Sequence, residues 1–142
     1  MKLYFAGPLF TTPERTWNAE VTAALRAAGH EVFLPQEHEP ADAAGIFATD
    51  VAGIDWADGL VAIMDGQDPD AGTAWEVGYG FGTRKAIVLV RTDFRQMAGS
   101  AGDYSPMLTE AATARIDLPL APTPQVIAAI LEVLTGIDAQ GR

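Results

Sequence analysis

No cysteine occurs among the 142 residues, which removes disulfides, thiolate catalysis and cysteine-ligated zinc together. Positive charge is scarce as well: nine Lys and Arg stand against 19 Asp and Glu, a formal charge of −10. A surface of that sign repels phosphate backbones and anionic membranes over a Debye length of about 8 Å. Nucleic-acid polymers and lipid surfaces are therefore disfavoured as partners, whereas a small neutral ligand held by local contacts is not. No apolar run approaches the roughly 20 residues of a membrane span, and the opening MKLYFAGPLF is too short for a signal peptide's apolar region and processing site. A soluble, cytoplasmic chain is expected. Its length suits a single domain over residues 1–142, with a frayed tail at 138–142.

Short apolar runs alternate with helical periodicity along the chain. KLYFAG reads as a strand ending at Gly7 and Pro8, and Thr12 before Pro13 reads as the cap of a helix closed by Gly29. EVFLP is a second strand, and residues 41–58 hold one helix or two short ones. GLVAIM and AIVLV lack alternation, as strands buried on both faces do. Between them a helix starts near Gly72, on which Trp75 and Tyr79 are expected to pack inward. The stretch RTDFRQMAGSAGDYSP reads as a loop, ARIDLPL as a candidate fifth strand, and Thr123 to Leu134 as a final helix. This alternation predicts an α/β fold: one doubly wound domain with a five-stranded, mostly parallel sheet. Ligands in such folds bind beyond the carboxyl ends of strands where strand order reverses. The loops GPLF and DGQDPDAG fall at such ends.

DGQDPDAGTAWEVGYG gathers Asp65, Asp68, Asp70 and Glu76 within twelve residues. Like charges repel, so the cluster is either a solvated loop of turn formers or a site. Glu76 falls in the helix that follows, where the helix dipole favours an ionised carboxylate able to act as a nucleophile. Asp70 can cap that helix or face it as a hydrogen-bond or proton-transfer group. A pair of this kind is what glycoside chemistry needs: one carboxylate for the anomeric carbon and one acid for the leaving group. No metal is expected, because the spacing does not follow a calcium loop and His30 and His38 are not spaced as a zinc pair. GTAWEVGYG is not a dinucleotide fingerprint, and no cofactor is expected. Arg91 and Arg95 are expected to pair with the surplus acids.

YFAGPLF, FLPQ, DGQDPDAGTAWEVGYG and RTDFR, in that order between Tyr4 and Arg95, resemble the nucleoside 2-deoxyribosyltransferase family. The resemblance implies a flavodoxin-like fold and base exchange between 2′-deoxyribonucleosides and free nucleobases through a covalent deoxyribosyl-enzyme intermediate. It implies that Glu76 attacks C1′, that Asp70 and Asp50 lie near the departing base with Asp70 moving the proton, and that Tyr4 orients the glutamate. It further implies that Gln36 touches the base and that Gly7, Leu9 and Phe10 line the substrate pocket. Read by themselves, Tyr4 is equally a core aromatic, Gln36 a loop residue and Asp50 a helix surface charge. The chain departs from the family pattern where members carry a sugar-binding asparagine, here Ser105 to Leu108, and its tail lacks the tyrosine with which many members complete a neighbour's site. A homo-oligomer is nonetheless what the family implies. Two rival readings stay open: a nucleoside or nucleotide N-glycosidase using the same glutamate, and a non-catalytic nucleoside-binding module.

Overall fold

The computed structural model describes residues 1–95 and 104–140. Five strands, β1 (Lys2–Ala6), β2 (Glu31–Phe33), β3 (Gly59–Ile63), β4 (Ala86–Arg91) and β5 (Ala114–Asp117), form one sheet in the order β2-β1-β3-β4-β5. Every pairing is parallel, so the sheet is wholly parallel where a mostly parallel one was expected. Helices α1 (Thr12–Ala27) and α5 (Thr123–Gln140) cover one face, and α2 (Ala43–Trp56), α3 (Ala71–Gly82) and the short α4 (Pro106–Thr109) cover the other.

The division follows from the pleat, which sends alternate side chains to opposite faces. Leu3 and Phe5 of β1, Val61 and Ile63 of β3, and Val88 and Val90 of β4 pack with Val21, Leu25, Ile130 and Leu134 from α1 and α5. Tyr4, Ala6, Leu60, Ala62, Ile87 and Leu89 point the other way, against Ile54 of α2 and Val77 of α3. Both faces are dry, which is why β3 reads as an uninterrupted apolar run.

Helix ends depart in detail from the sequence reading. The first cap is Thr11, not Thr12: its hydroxyl accepts from Glu14 N while Glu14 Oε2 accepts from Thr11 N at 2.8 Å, a reciprocal capping box with Pro13 in the first turn. Residues 43–56 form one helix. The last helix runs to Gln140, so residues 138–140 of the tail expected to fray are helical. The expected loop after β4 is described only at its two ends, residues 96–103 lying outside the described residues, and at its far end Pro106–Thr109 is helical. No helix among the described residues is long and apolar enough to cross a membrane.

The strand order makes the switch point explicit. From β1 the chain winds outward to β2, then returns to β3 on the opposite side of β1, so the loops leaving β1 and β3 diverge and open a crevice above their carboxyl ends.

Candidate active site

The loop leaving β3 is held by its neighbour. Asp65 Oδ1 accepts from the backbone of Thr92 at 2.6 Å and of Asp93 at 3.0 Å, tying it to the end of β4. Arg91 is buried and gives its guanidinium to the carbonyls of Met64, Gly66 (3.0 Å) and Arg95 (2.7 Å), so it knits two loops instead of pairing with an acid. Arg95 does pair, with Asp93, whose carboxyl is held well below the usual carboxylate range chiefly by that partner. Gly66 turns the loop at φ +115°, where a Cβ would meet the Asp68 carbonyl at 2.8 Å. Asp70 then caps α3, its Oδ2 accepting from Thr73 N at 2.9 Å and Thr73 Oγ1 at 3.1 Å.

One turn and a half into α3, Glu76 meets Tyr4 of β1. The phenol donates to Glu76 Oε1 at 2.6 Å, across 72 positions of sequence. Burial is the leading influence on the glutamate and pushes its pKa up to about 7; the Tyr4 bond opposes this, and Asp50 and Asp70 add to it. The helix dipole expected to keep Glu76 ionised is overridden, because its influence fades after the first turn and Glu76 is the sixth helical residue. Tyr4 is fully buried and pushed far above the ordinary phenol range, by burial first and then by Glu76 and Asp50, so it stays a donor. Asp50 on α2 is also raised, chiefly by burial, with hydrogen bonding to Tyr4 and the charge of His38 pulling the other way.

Asp70 and Glu76 line two different cavities beside the start of α3. One of about 480 Å³ is walled by Pro8, Phe10, Asn18, Ile63, Asp68, Asp70 and Arg95, among others. The other, about 360 Å³, is lined by Ile46, Phe47, Asp50, Trp75 and Glu76. Glu76 belongs to the second cavity and Asp70 to the first, with Gly72 on the second's edge between them.

Tyr4, Glu76 and Asp50 thus come together, with Asp70 close enough to influence the glutamate's charge. Phe10 stands in the larger cavity's wall, 71% exposed. At Gly7 a Cβ would approach Ile63 to 3.1 Å, so glycine lets the loop lie on the end of β3. Leu9 is half-buried and in the wall of neither cavity, as is Gln36, whose amide is engaged by α1: Nε2 donates to Arg15 O at 2.8 Å and Oε1 accepts from Asn18 Nδ2 at 3.2 Å. Trp75 is not the core residue the sequence leads one to expect. It is 47% exposed, stacks on Tyr79 at 5.3 Å and meets Phe47 at 5.3 Å, while Tyr79 donates to Asp55 at 3.0 Å. Nothing in the sequence signals the apolar rim of Ile46 and Phe47, because the even hydrophobicity of α2 does not say which side faces water.

A flavodoxin-like sheet thus carries at its switch point a desolvated, phenol-bonded glutamate with two further carboxylates nearby, residue types suited to glycoside chemistry. The family model for nucleoside 2-deoxyribosyltransferase matches residues 3–129, and the chain belongs to that family of nucleoside-processing enzymes. Among solved structures it is similar to the 2-deoxyribosyltransferase of Bacillus psychrosaccharolyticus, with 26% identity over 89% of this chain and 90% of that one and a TM-score of 0.69. A conserved protein from Enterococcus faecalis V583 shares the fold at 24% identity, with 93% and 98% coverage and a TM-score of 0.75. So does the CMP N-glycosidase BcmB of Clostridium botulinum, at 16% identity, 92% and 98% coverage and a TM-score of 0.68. No curated protein matches the chain by sequence.

Proposed function

We propose that the protein transfers 2-deoxyribose between nucleobases through a covalent deoxyribosyl-Glu76 intermediate, with retention of configuration. The observation that carries this reading is the 2.6 Å bond from Tyr4 to Glu76 in a cavity with an apolar wall. A carboxylate stripped of water is a stronger nucleophile, and the phenol fixes which oxygen is occupied and which is free to attack. Glu76 attacks C1′ as the bond to the base nitrogen breaks and its electron pair leaves with the base. Asp70 lends the proton through the oxygen that Thr73 does not use. A second base attacks the ester from the vacated side as Asp70, left ionised by the first step, takes its N–H proton, returning the Glu76 carboxylate and the β configuration. The charge of Asp50, and the charge that develops on Asp70 as it gives up its proton, favour the cationic sugar of the transition state. A 2′-hydroxyl destabilises that cation, so deoxy substrates are preferred.

Nucleosides are favoured over nucleotides by the larger cavity, whose lining holds Glu14, Asp65, Asp68, Asp70 and Asp93 against Arg95, itself taken by Asp93. A phosphate would enter against that charge. The reading includes an assembly of copies and a cytoplasmic address. The exposed rim of Phe47 and Trp75, 58% and 47% accessible, is the surface a second copy would cover, and sedimentation velocity checks it.

The test is chromatography of purified protein with deoxyinosine and adenine, beside deoxyinosine alone and a Glu76→Ala variant. Deoxyadenosine formed by the wild type and absent from the variant supports transfer through Glu76. Hypoxanthine released at the same rate with and without adenine makes the enzyme an N-glycosidase instead. Ligand binding undiminished in Glu76→Ala, with no base released by the wild type from purine or pyrimidine deoxynucleosides, makes it a binding module.

A further inference from the structure

Gly53, in α2, is buried, and a Cβ built on it would lie 2.9 Å from both Cδ1 and Cε1 of Phe33 and 3.0 Å from Cε2 of Tyr4. Real side chains do not sit that close, so the helix rests on these two rings at a separation only glycine permits. The rings are neighbours by register, since Tyr4 and Phe33 are partners across β1 and β2. They stack at 5.5 Å with planes 12° apart. His38 stacks on Phe33 in turn, at 4.3 Å and 11°, so the Phe33 ring has a second aromatic neighbour against which any displacement must work. Asp50 stands one turn before Gly53 on the same side of α2, so the seat at Gly53 also sets how near Asp50 comes to the phenol.

We propose that Gly53 is a positioning residue: the missing side chain, with Phe33 as backing, fixes the Tyr4 ring so that its hydroxyl is held on Glu76 and Asp50 is brought beside it. The proposal rests on reading Glu76 as the reacting group. Glycine weakens a helix interior relative to alanine, and α2 carries it where the rings leave no room for a methyl group. The consequence is chemical as well as structural, because the Tyr4 hydrogen bond is the influence that opposes burial in setting how readily Glu76 loses its proton.

The groups facing Glu76 are Tyr4 from β1, Asp50 from α2 and Asp70 at the start of α3; the hydrogen bond from Tyr4 lowers its pKa, and the two carboxylates raise it. Titration of the Glu76 carboxyl carbon by NMR in the full chain reads the arrangement directly. In Gly53→Ala the midpoint rises by roughly half a unit or more, since the Tyr4 bond is the stronger of the influences displaced. Tyr4→Phe raises it at least as far, and adding Gly53→Ala to Tyr4→Phe raises it no further. Activity follows, with kcat reduced about tenfold and KM within about threefold of wild type, the pattern of an interaction used in the transition state. A folded Gly53→Ala protein whose midpoint is unmoved or lowered overturns the proposal, as does an additive double variant. Should Gly53→Ala lose its cooperative unfolding transition, Phe33→Leu takes its place, removing the backing ring without adding bulk. An upward shift there supports the proposal and an unmoved midpoint overturns it. A wild type inert toward every nucleoside breaks the proposed function, while the Glu76 midpoint still decides on Gly53.

Discussion

On the face of the sheet under α1 and α5, the strands present Leu3, Phe5, Val32, Val61, Ile63, Val88, Val90 and Ile116, branched or aromatic throughout. On the face under α2 and α3 they present Tyr4, Ala6, Leu60, Ala62, Met64, Ile87 and Leu89, a set in which alanine alternates with larger groups. The first composition fills space. The second leaves room for helices to lie close, as α3 does where Gly80 sits on Leu60 and α2 where Gly53 sits on Tyr4 and Phe33. Close helices bring Asp50 and Glu76 to a phenol anchored in the sheet, and the same burial that stabilises the domain raises the glutamate's pKa. One side of the sheet therefore supplies stability and the other spends some of it on a charged group held away from water.

The sharpest way to break this contrast is at Glu76. Glu76→Gln keeps the shape and an acceptor for Tyr4 but removes the proposed nucleophile, and the proposed transfer is expected to fall by at least about 10³-fold. Stability moves the opposite way. Because the folded-state pKa is about 7 against an ordinary 4.5, the wild type holds this proton more tightly when folded. Its contribution is fully present below pH 4.5 and is lost as pH rises through 7. The glutamine variant has no such loss, so above pH 7.5 it is more stable by about 2 kcal/mol, discounted from the full shift because the carboxyl is partly open to solvent. Urea unfolding of both proteins at several pH values checks this. Equal stability at every pH would mean that Glu76 is not desolvated.

Ile130→Ala acts on the other side. This fully buried side chain of α5 packs in the aliphatic cluster, and truncating it costs about 2–4 kcal/mol. Activity per folded molecule stays at the wild-type level, measured below the variant's melting transition. A variant that keeps its stability but loses kcat would show that the two faces are coupled.

Tyr4→Phe lies between the two. It preserves the packing against Phe33 but removes the bond to Glu76, so kcat falls roughly 10–100-fold. On the proposed mechanism the acid limb of the pH–rate profile follows ionisation of Glu76 and is expected near pH 7 in the wild type; in the variant it is expected to move upward, because the lost bond was lowering the pKa. A limb that moves down would assign it to another group.

The sequence itself carries much of this arrangement. Uninterrupted apolar runs give β3 and β4, the alternation of elements gives the parallel sheet, and the position of DGQDPDAG after a strand puts the acids at the switch point. Asp70 and Glu76 stand out because four acids are gathered within twelve residues despite their mutual repulsion, Asp70 in the loop after a buried strand and Glu76 in the helix that follows. What stays hidden depends on contacts between distant parts of the chain. Tyr4 reaches Glu76 across 72 positions, a pairing that the family resemblance implies and no local pattern does, and nothing local in AGIFATDVAGIDW distinguishes Gly53 from Gly45. Gln36 follows a proline in an exposed-looking loop, yet its amide is taken up by α1. Trp75 has core spacing but faces outward, stacked on Tyr79, which does pack half-buried against the core, since side-chain period alone does not say which side of α3 meets the sheet. The cap at Thr11 was readable from its glutamate three residues on, and Pro13 drew attention one residue too far.

The smallest expected effect refines the description of the packing face. Thr22 of α1 is buried, and its hydroxyl is the one buried side-chain polar atom without a hydrogen-bond partner among the described residues. Valine has nearly the same shape and no hydroxyl to desolvate, so Thr22→Val stabilises the protein by about 1 kcal/mol. Catalysis is unchanged, because α1 at this level faces the aliphatic cluster and not the crevice. A midpoint increase in urea with unaltered kcat is the expected outcome. Destabilisation would mean that the hydroxyl has a partner, such as a buried water, and that this face is less purely apolar than its strand residues make it.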